Sequence, residues 1–148
     1  MQEQIVAKAS TTIAAPVTQV WDALINPEMI ERYMFGARVV SDWKQGSPIT
    51  WRGEWKGKPY EDRGVILEIE PQRRLRYSHF SPLAGLPDAP ENYHAVTIDL
   101  TADNEQATRV ALSQDNNKTN DARDHAEKNW NAMLANLKKV IEKNRIEH

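Results

Sequence analysis

The sequence contains no cysteine, which removes disulfide bridges, thiolate nucleophiles and thiolate metal sites together. It also lacks any apolar run approaching the roughly 18 residues of a membrane span, and Met1 is not followed by the basic segment and apolar stretch of a signal peptide. A cytoplasmic location is therefore expected. Neither charge sign dominates: 19 Lys and Arg stand against 21 Asp and Glu, a formal net charge of −2, so no global positive field draws the chain to nucleic acid or acidic lipid. Recognisable enzyme motifs are missing too. No G-x-S-x-G elbow, H-E-x-x-H pair, phosphate-cradling glycine loop or dinucleotide fingerprint occurs.

What is present is an ordinary globular composition. With 40% hydrophobic and 27% charged residues over 148 positions, the chain falls outside the disordered range and is long enough to bury about 68–70% of its unfolded surface in one core. Internal repeats and low-complexity segments are absent, so a single domain over 1–148 is expected.

Hydrophobic periodicity divides the chain into elements. Residues 4–13, "QIVAKASTTI", are rich in β-branched residues and predict a strand. In "APVTQVWDALINP", Pro16 suits a first helical turn and Val17, Val20, Trp21 and Leu24 follow helical spacing. Asn26-Pro27 reads as an N-cap and first helical residue, opening a second short helix through Met29, Ile30 and Tyr33 that Gly36 ends. From about 37 to 114 the period becomes two, predicting strands near 37–44, 48–56, 60–70, 74–80, 93–101 and 107–114 joined as antiparallel hairpins. A last helix spans about 121–144, capped by Asn120 or Asp121, with Ala126, Trp130, Met133, Leu134, Leu137 and Ile141 on one stripe. That stripe needs an apolar partner, and one face of the meander is the only large one available.

Two stretches carry a family resemblance. "APVTQVWDALINPEMIERYM" is similar to the opening motif of the START-like, or SRPBCC, superfamily, and "GEWKGKPYEDRGVILEIEPQRRLRYS" resembles the central hairpin of proteins similar to the activator of heat shock protein 90 ATPase. The resemblance covers nearly the whole chain. It implies an α+β helix-grip fold: a curved antiparallel sheet, two short helices, and a long C-terminal helix over the concave face. Relatives include lipid and hormone binders, polyketide cyclases and co-chaperone domains, so the fold alone does not choose a function. The co-chaperone proper is longer, with an additional N-terminal domain that is not expected in a chain of 148 residues.

Side-chain parity locates a candidate site. In "DRGVILEIEPQRRLRYSH", Val65, Leu67 and Ile69 share one parity, and Leu75, Tyr77 and His79 continue it beyond the turn. If Ile69 opposes Leu75, then Leu67 faces Tyr77 and Val65 faces His79. Onward, Tyr77 would oppose Val96 and His79 would oppose His94, while Val110, Leu112 and Gln114 would oppose Ile98, Val96 and His94. His79, His94 and Gln114 then form a polar row, and the same parity sends Glu61 and Arg63 inward. Trp51 and Trp55 flank Gly53 on one face of their strand, and Trp130, Met133 and Leu134 are expected as the opposite wall. The loop "SPLAGLPDAPEN" joins the strand ends carrying the two histidines, and Leu83 and Leu86 are expected to cover the mouth.

The plainer readings stand beside these. His79 and His94 suit the wetter end of a sheet as well as a catalytic role, and Trp21 and Trp130 suit the core. Two imidazoles and the Glu61 carboxylate would suffice for zinc, but no motif spacing supports a metal, and neither metal nor cofactor is expected. The leading expectation is a domain that holds a small apolar or aromatic molecule in a cavity between sheet and helix. The alternatives are a cyclase- or hydrolase-like enzyme using pocket His and Glu, and a co-chaperone-like interaction domain of the stress response.

Overall fold

In the computed structural model, described over residues 5–82 and 85–146, seven strands make one antiparallel sheet. They are β1 (Ala7–Ile13), β2 (Arg38–Ser41), β3 (Pro48–Trp55), β4 (Lys58–Glu70), β5 (Arg74–His79), β6 (His94–Asn104) and β7 (Ala107–Gln114). Their order in space is β1-β7-β6-β5-β4-β3-β2, a meander with the first strand docked beside the last. Helices α1 (Val17–Ile25) and α2 (Pro27–Tyr33) lie between β1 and β2 in sequence, and α3 (Asn120–Ile146) closes the chain. This is the expected helix-grip α+β fold.

Local chemistry explains the helix starts. Asn26 caps α2 as the sequence predicts, its side-chain oxygen accepting from the backbone of Glu28 at 3.0 Å and Met29 at 3.4 Å. At α3 the cap is Thr119, whose hydroxyl accepts from the Ala122 amide at 3.0 Å, rather than Asn120 or Asp121. The stripe on α3 buries Met133, Leu134, Leu137 and Ile141, each contributing about 1.5–3 kcal/mol by leaving water. They meet Trp21 and Leu24 of α1, Ile30 of α2, and the inner residues of the sheet in one core.

α3 also tends the free edge of β1. Glu127 accepts from the Lys8 amide at 2.9 Å, Glu142 accepts from the Ala14 amide at 2.9 Å, and the Lys138 ammonium donates to the Thr12 carbonyl at 2.7 Å. Side chains thus stand where an eighth strand would bond.

Two registers differ from expectation. Ile69 opposes Leu75 as predicted, but a bulge between Ile66 and Glu68 places Ile66 opposite Tyr77 and leaves Leu67 as the extra residue. Ile66 is fully buried while Val65 and Leu67 are exposed. Every residue of β4 before the bulge therefore has the opposite parity to that expected. The other half of the sheet agrees: Trp51 opposes Asp62, Arg52 opposes Glu61 and Thr50 opposes Arg63. Between β6 and β7 the pairs are Val96 with Gln114, Ile98 with Leu112 and Leu100 with Val110. That is two residues from the predicted pairing, because β6 continues to Asn104 before a tight turn; an even offset preserves parity.

Candidate functional site

At one end of the concave face, β3, β4 and β5 bring Trp51, Asp62, Tyr77 and His79 together. The Trp51 ring lies between the other two, its centroid 5.1 Å from Tyr77 with a tilt of 50° and 5.1 Å from the His79 ring at 66°. His79 Nε2 lies 2.9 Å from Asp62 Oδ2. A carboxylate only accepts, so Nε2 carries the hydrogen and Nδ1 of the neutral ring is left as an acceptor. The second carboxylate oxygen, Oδ1 of Asp62, is buried and has no hydrogen-bond partner among the described residues. An unsatisfied buried acceptor costs about 1–3 kcal/mol, more where it is charged.

His94 stands directly opposite His79 on β6, as the sequence predicts. Its Nδ1 donates to the Asp115 carbonyl at 2.8 Å, again leaving the other nitrogen as an acceptor. Gln114 Nε2 also approaches His94 Nδ1, at 3.4 Å, but two donors face each other there and the contact is van der Waals packing. Gln114 is otherwise committed. It accepts from Trp130 Nε1 at 2.7 Å and donates to Asn117 Oδ1 at 3.1 Å, while Asn117 Nδ2 donates to the Ile5 and Gln114 carbonyls at 2.9 Å each. This chain of bonds ties α3 to β7 and to the segment before β1, so Gln114 and Trp130 act as a structural tie rather than a ligand contact.

The bulge in β4 redistributes the remaining candidates. Glu61 lies on the outer face, paired with Arg52 at 2.7 Å. Arg63 also faces out, 3.2 Å from Asp88. Leu67 is exposed on the outer side. All three leave the site, and with Glu61 goes the third ligand of the conceivable zinc site; among the described residues, no cluster of three metal-ligating side chains forms. Asp62 takes the inward place. The sequence left this open, since Ile66 is as apolar as Val65 and Leu67 and both parities were available.

Trp51, Tyr77, Val96, Leu112, Met133 and Leu134 are buried as expected. The Trp55 side chain and Leu83 lie outside the described residues. Leu86 is 44% exposed and does not cover the mouth. The loop is held instead by Asp88, which accepts from the Tyr93 hydroxyl at 2.6 Å and pairs with Arg63. Phe80, unmarked by the sequence reading, is buried with its ring stacked on Tyr93 at 5.2 Å.

The expected hollow is nearly filled. Between α2, α3 and the sheet about 20 Å³ remains, bordered by Tyr33, Trp43, Trp51, Leu75, Tyr77 and Met133. That is room for about one water molecule, so a larger occupant requires these side chains to move. The Tyr77 hydroxyl lies in this dry interior, and burial pushes its pKa well above the usual 10. Tyr33, donating to the Ala23 carbonyl at 3.0 Å, is raised by burial and then by its neighbour Tyr77. The folded chain therefore keeps protons that the unfolded chain releases near pH 10, and stability falls as pH rises beyond that value. Urea midpoints are expected to hold up to about pH 9 and drop above about pH 10, with a smaller drop in Tyr77→Phe; equal slopes for the two proteins would contradict this.

Comparison with known proteins follows the same outline. The chain is similar to ChR145 from Cytophaga hutchinsonii, with 55% identity over 100% of both chains and a TM-score of 0.85. It shares the fold of the Aha1 dimer from Colwellia psychrerythraea, at 18% identity over 93% of this chain and 96% of that one, TM-score 0.72. The fold is shared also with CalU16 from Micromonospora echinospora, at 21% identity over 94% and 83%, TM-score 0.71. No curated protein matches. Among the described residues no helix is long and apolar enough to cross a membrane. The sequence model of the Activator of Hsp90 ATPase homolog 1-like proteins matches residues 14–142, and with the helix-grip fold around it the chain belongs to that family.

Proposed function

We propose that the protein is a single cytoplasmic domain that binds a small, largely apolar molecule at the polar end of its concave face. Asp62, His79 and His94 form the hydrogen-bonding head of the site, and Trp51 and Tyr77 form its apolar wall. The observation that carries this reading is the partly buried Asp62–His79 pair, in which one carboxylate oxygen is buried and has no partner among the described residues. Structural ion pairs in a core gain little net stability even when complete, and an incomplete one is explained by a partner that arrives from outside. Ligand pockets combine an apolar lining with a few placed polar groups in this way. The small remaining volume means that binding opens the site.

Native mass spectrometry of the protein purified from its own host tests the proposal. A co-purified small molecule is expected, and it should be lost from His79→Ala while the variant stays folded. A second reading, a chaperone-binding domain acting through its outer surface, is favoured by the filled hollow and by the family. A ligand-free protein that co-purifies with a chaperone, unaffected by substitutions at Trp51 or His79, would establish that reading instead.

A further inference from the structure

Resting on that ligand site, we infer that it selects a molecule bearing a hydrogen-bond donor, a phenolic or alcoholic hydroxyl on a flat apolar body, and rejects carboxylate-headed ones. The polar atoms at this end divide by their bonds. His79 Nε2 donates to Asp62 at 2.9 Å, and His94 Nδ1 donates to a carbonyl at 2.8 Å. In the neutral form of each ring that one proton is thereby spent, because neither a carboxylate nor a carbonyl can supply one. What remains toward a ligand is His79 Nδ1, His94 Nε2 and Asp62 Oδ1, the last buried and without a partner among the described residues. All three are lone pairs.

A carboxylate would meet only acceptors and the charge of Asp62. The two arginines on the strands that carry Trp51 and Asp62 give it no counterion: Arg52 and Arg63 are on the outer face, engaged by Glu61 and Asp88. A hydroxyl, by contrast, completes the Asp62 carboxylate, and a neutral ring system suits Trp51 and Tyr77. Such selectivity arises because buried polar groups left unpaired by the wrong ligand penalise it.

Titration of the folded protein with 2-naphthol, 2-methoxynaphthalene and 2-naphthoate, followed by NMR at the amides of Trp51, Asp62, His79 and His94, tests the inference. 2-Naphthol is expected to bind about tenfold or more tightly than either analogue. In Asp62→Asn the margin should shrink to about threefold or less; should that variant not fold, the ranking on the unaltered protein still decides. Equal or tighter binding of 2-naphthoate or 2-methoxynaphthalene overturns the inference and leaves the ligand site standing. If no probe perturbs these amides, both fall.

Discussion

Replacing Gly64 with alanine is expected to lower stability by about 3 kcal/mol or more, which for a chain of this size shifts the thermal midpoint down by about 6–12 °C. Gly64 lies on the inner side of β4 just before the bulge, where the strand crowds β5. A Cβ placed there would overlap the carbonyl oxygen of Ser78 and stand 2.6 Å from its carbonyl carbon. Backbone cannot rotate aside as a side chain does, so β4 and β5 must separate. The bonds nearest the contact are those between Arg63 and Phe80, at 3.0 and 2.8 Å, and the 2.9 Å bond from the Val65 amide to the Ser78 hydroxyl. Gly53 is the control. A Cβ there meets the outer end of the Tyr60 ring, 2.7 Å from its hydroxyl, and that ring can swing away, so Gly53→Ala should lose about 1 kcal/mol. Circular dichroism melts of the two variants decide the matter; equal midpoints would mean that β5 yields easily at Ser78.

Gln114→Ala is expected to be nearly as damaging, at about 2–4 kcal/mol. The substitution strands both partners of the amide: the Trp130 indole N–H, bonded at 2.7 Å, and the Asn117 side-chain oxygen, at 3.1 Å. Asn117 is only 7% exposed, so water reaches it poorly. Urea denaturation should show a lower midpoint, and hydrogen exchange should quicken first at Asn117 and in the part of α3 around Trp130. An unchanged midpoint would mean that the tie is decorative and return Gln114 to the ligand site.

Much of this architecture was legible because it rests on periodicity. The strand and helix order, the Asn26 cap, the stripe from Met133 to Ile141, and the facing of His79 and His94 all follow from spacing that tertiary packing reinforces. β4 was misread for a definite reason. Val65, Ile66 and Leu67 are apolar on both parities, so alternation alone cannot choose the buried one; the choice is made by the opposite strand, where Trp51 must face inward and carries Asp62 with it. Glu61 and Arg63 consequently exchanged faces with Asp62, and the candidate site changed its carboxylate. Gln114 was placed near His94, but its bonds to Trp130 and Asn117 depend on how α3 descends onto β7, which no local spacing encodes. The volume of the hollow was illegible for a similar reason, being the small remainder of many packed side chains.

The side chains of α3 that occupy the rim of β1 also determine how the helix can yield. From Glu127 to Glu142 it is stitched to the first strand, and lifting that length would bare an unprotected strand margin to other chains, with the self-association that follows. Among the described residues, the turns ahead of Glu127 carry no such stitch to β1. Any breathing of the domain is therefore confined to the front of the helix, like a drawbridge whose far end is bolted down.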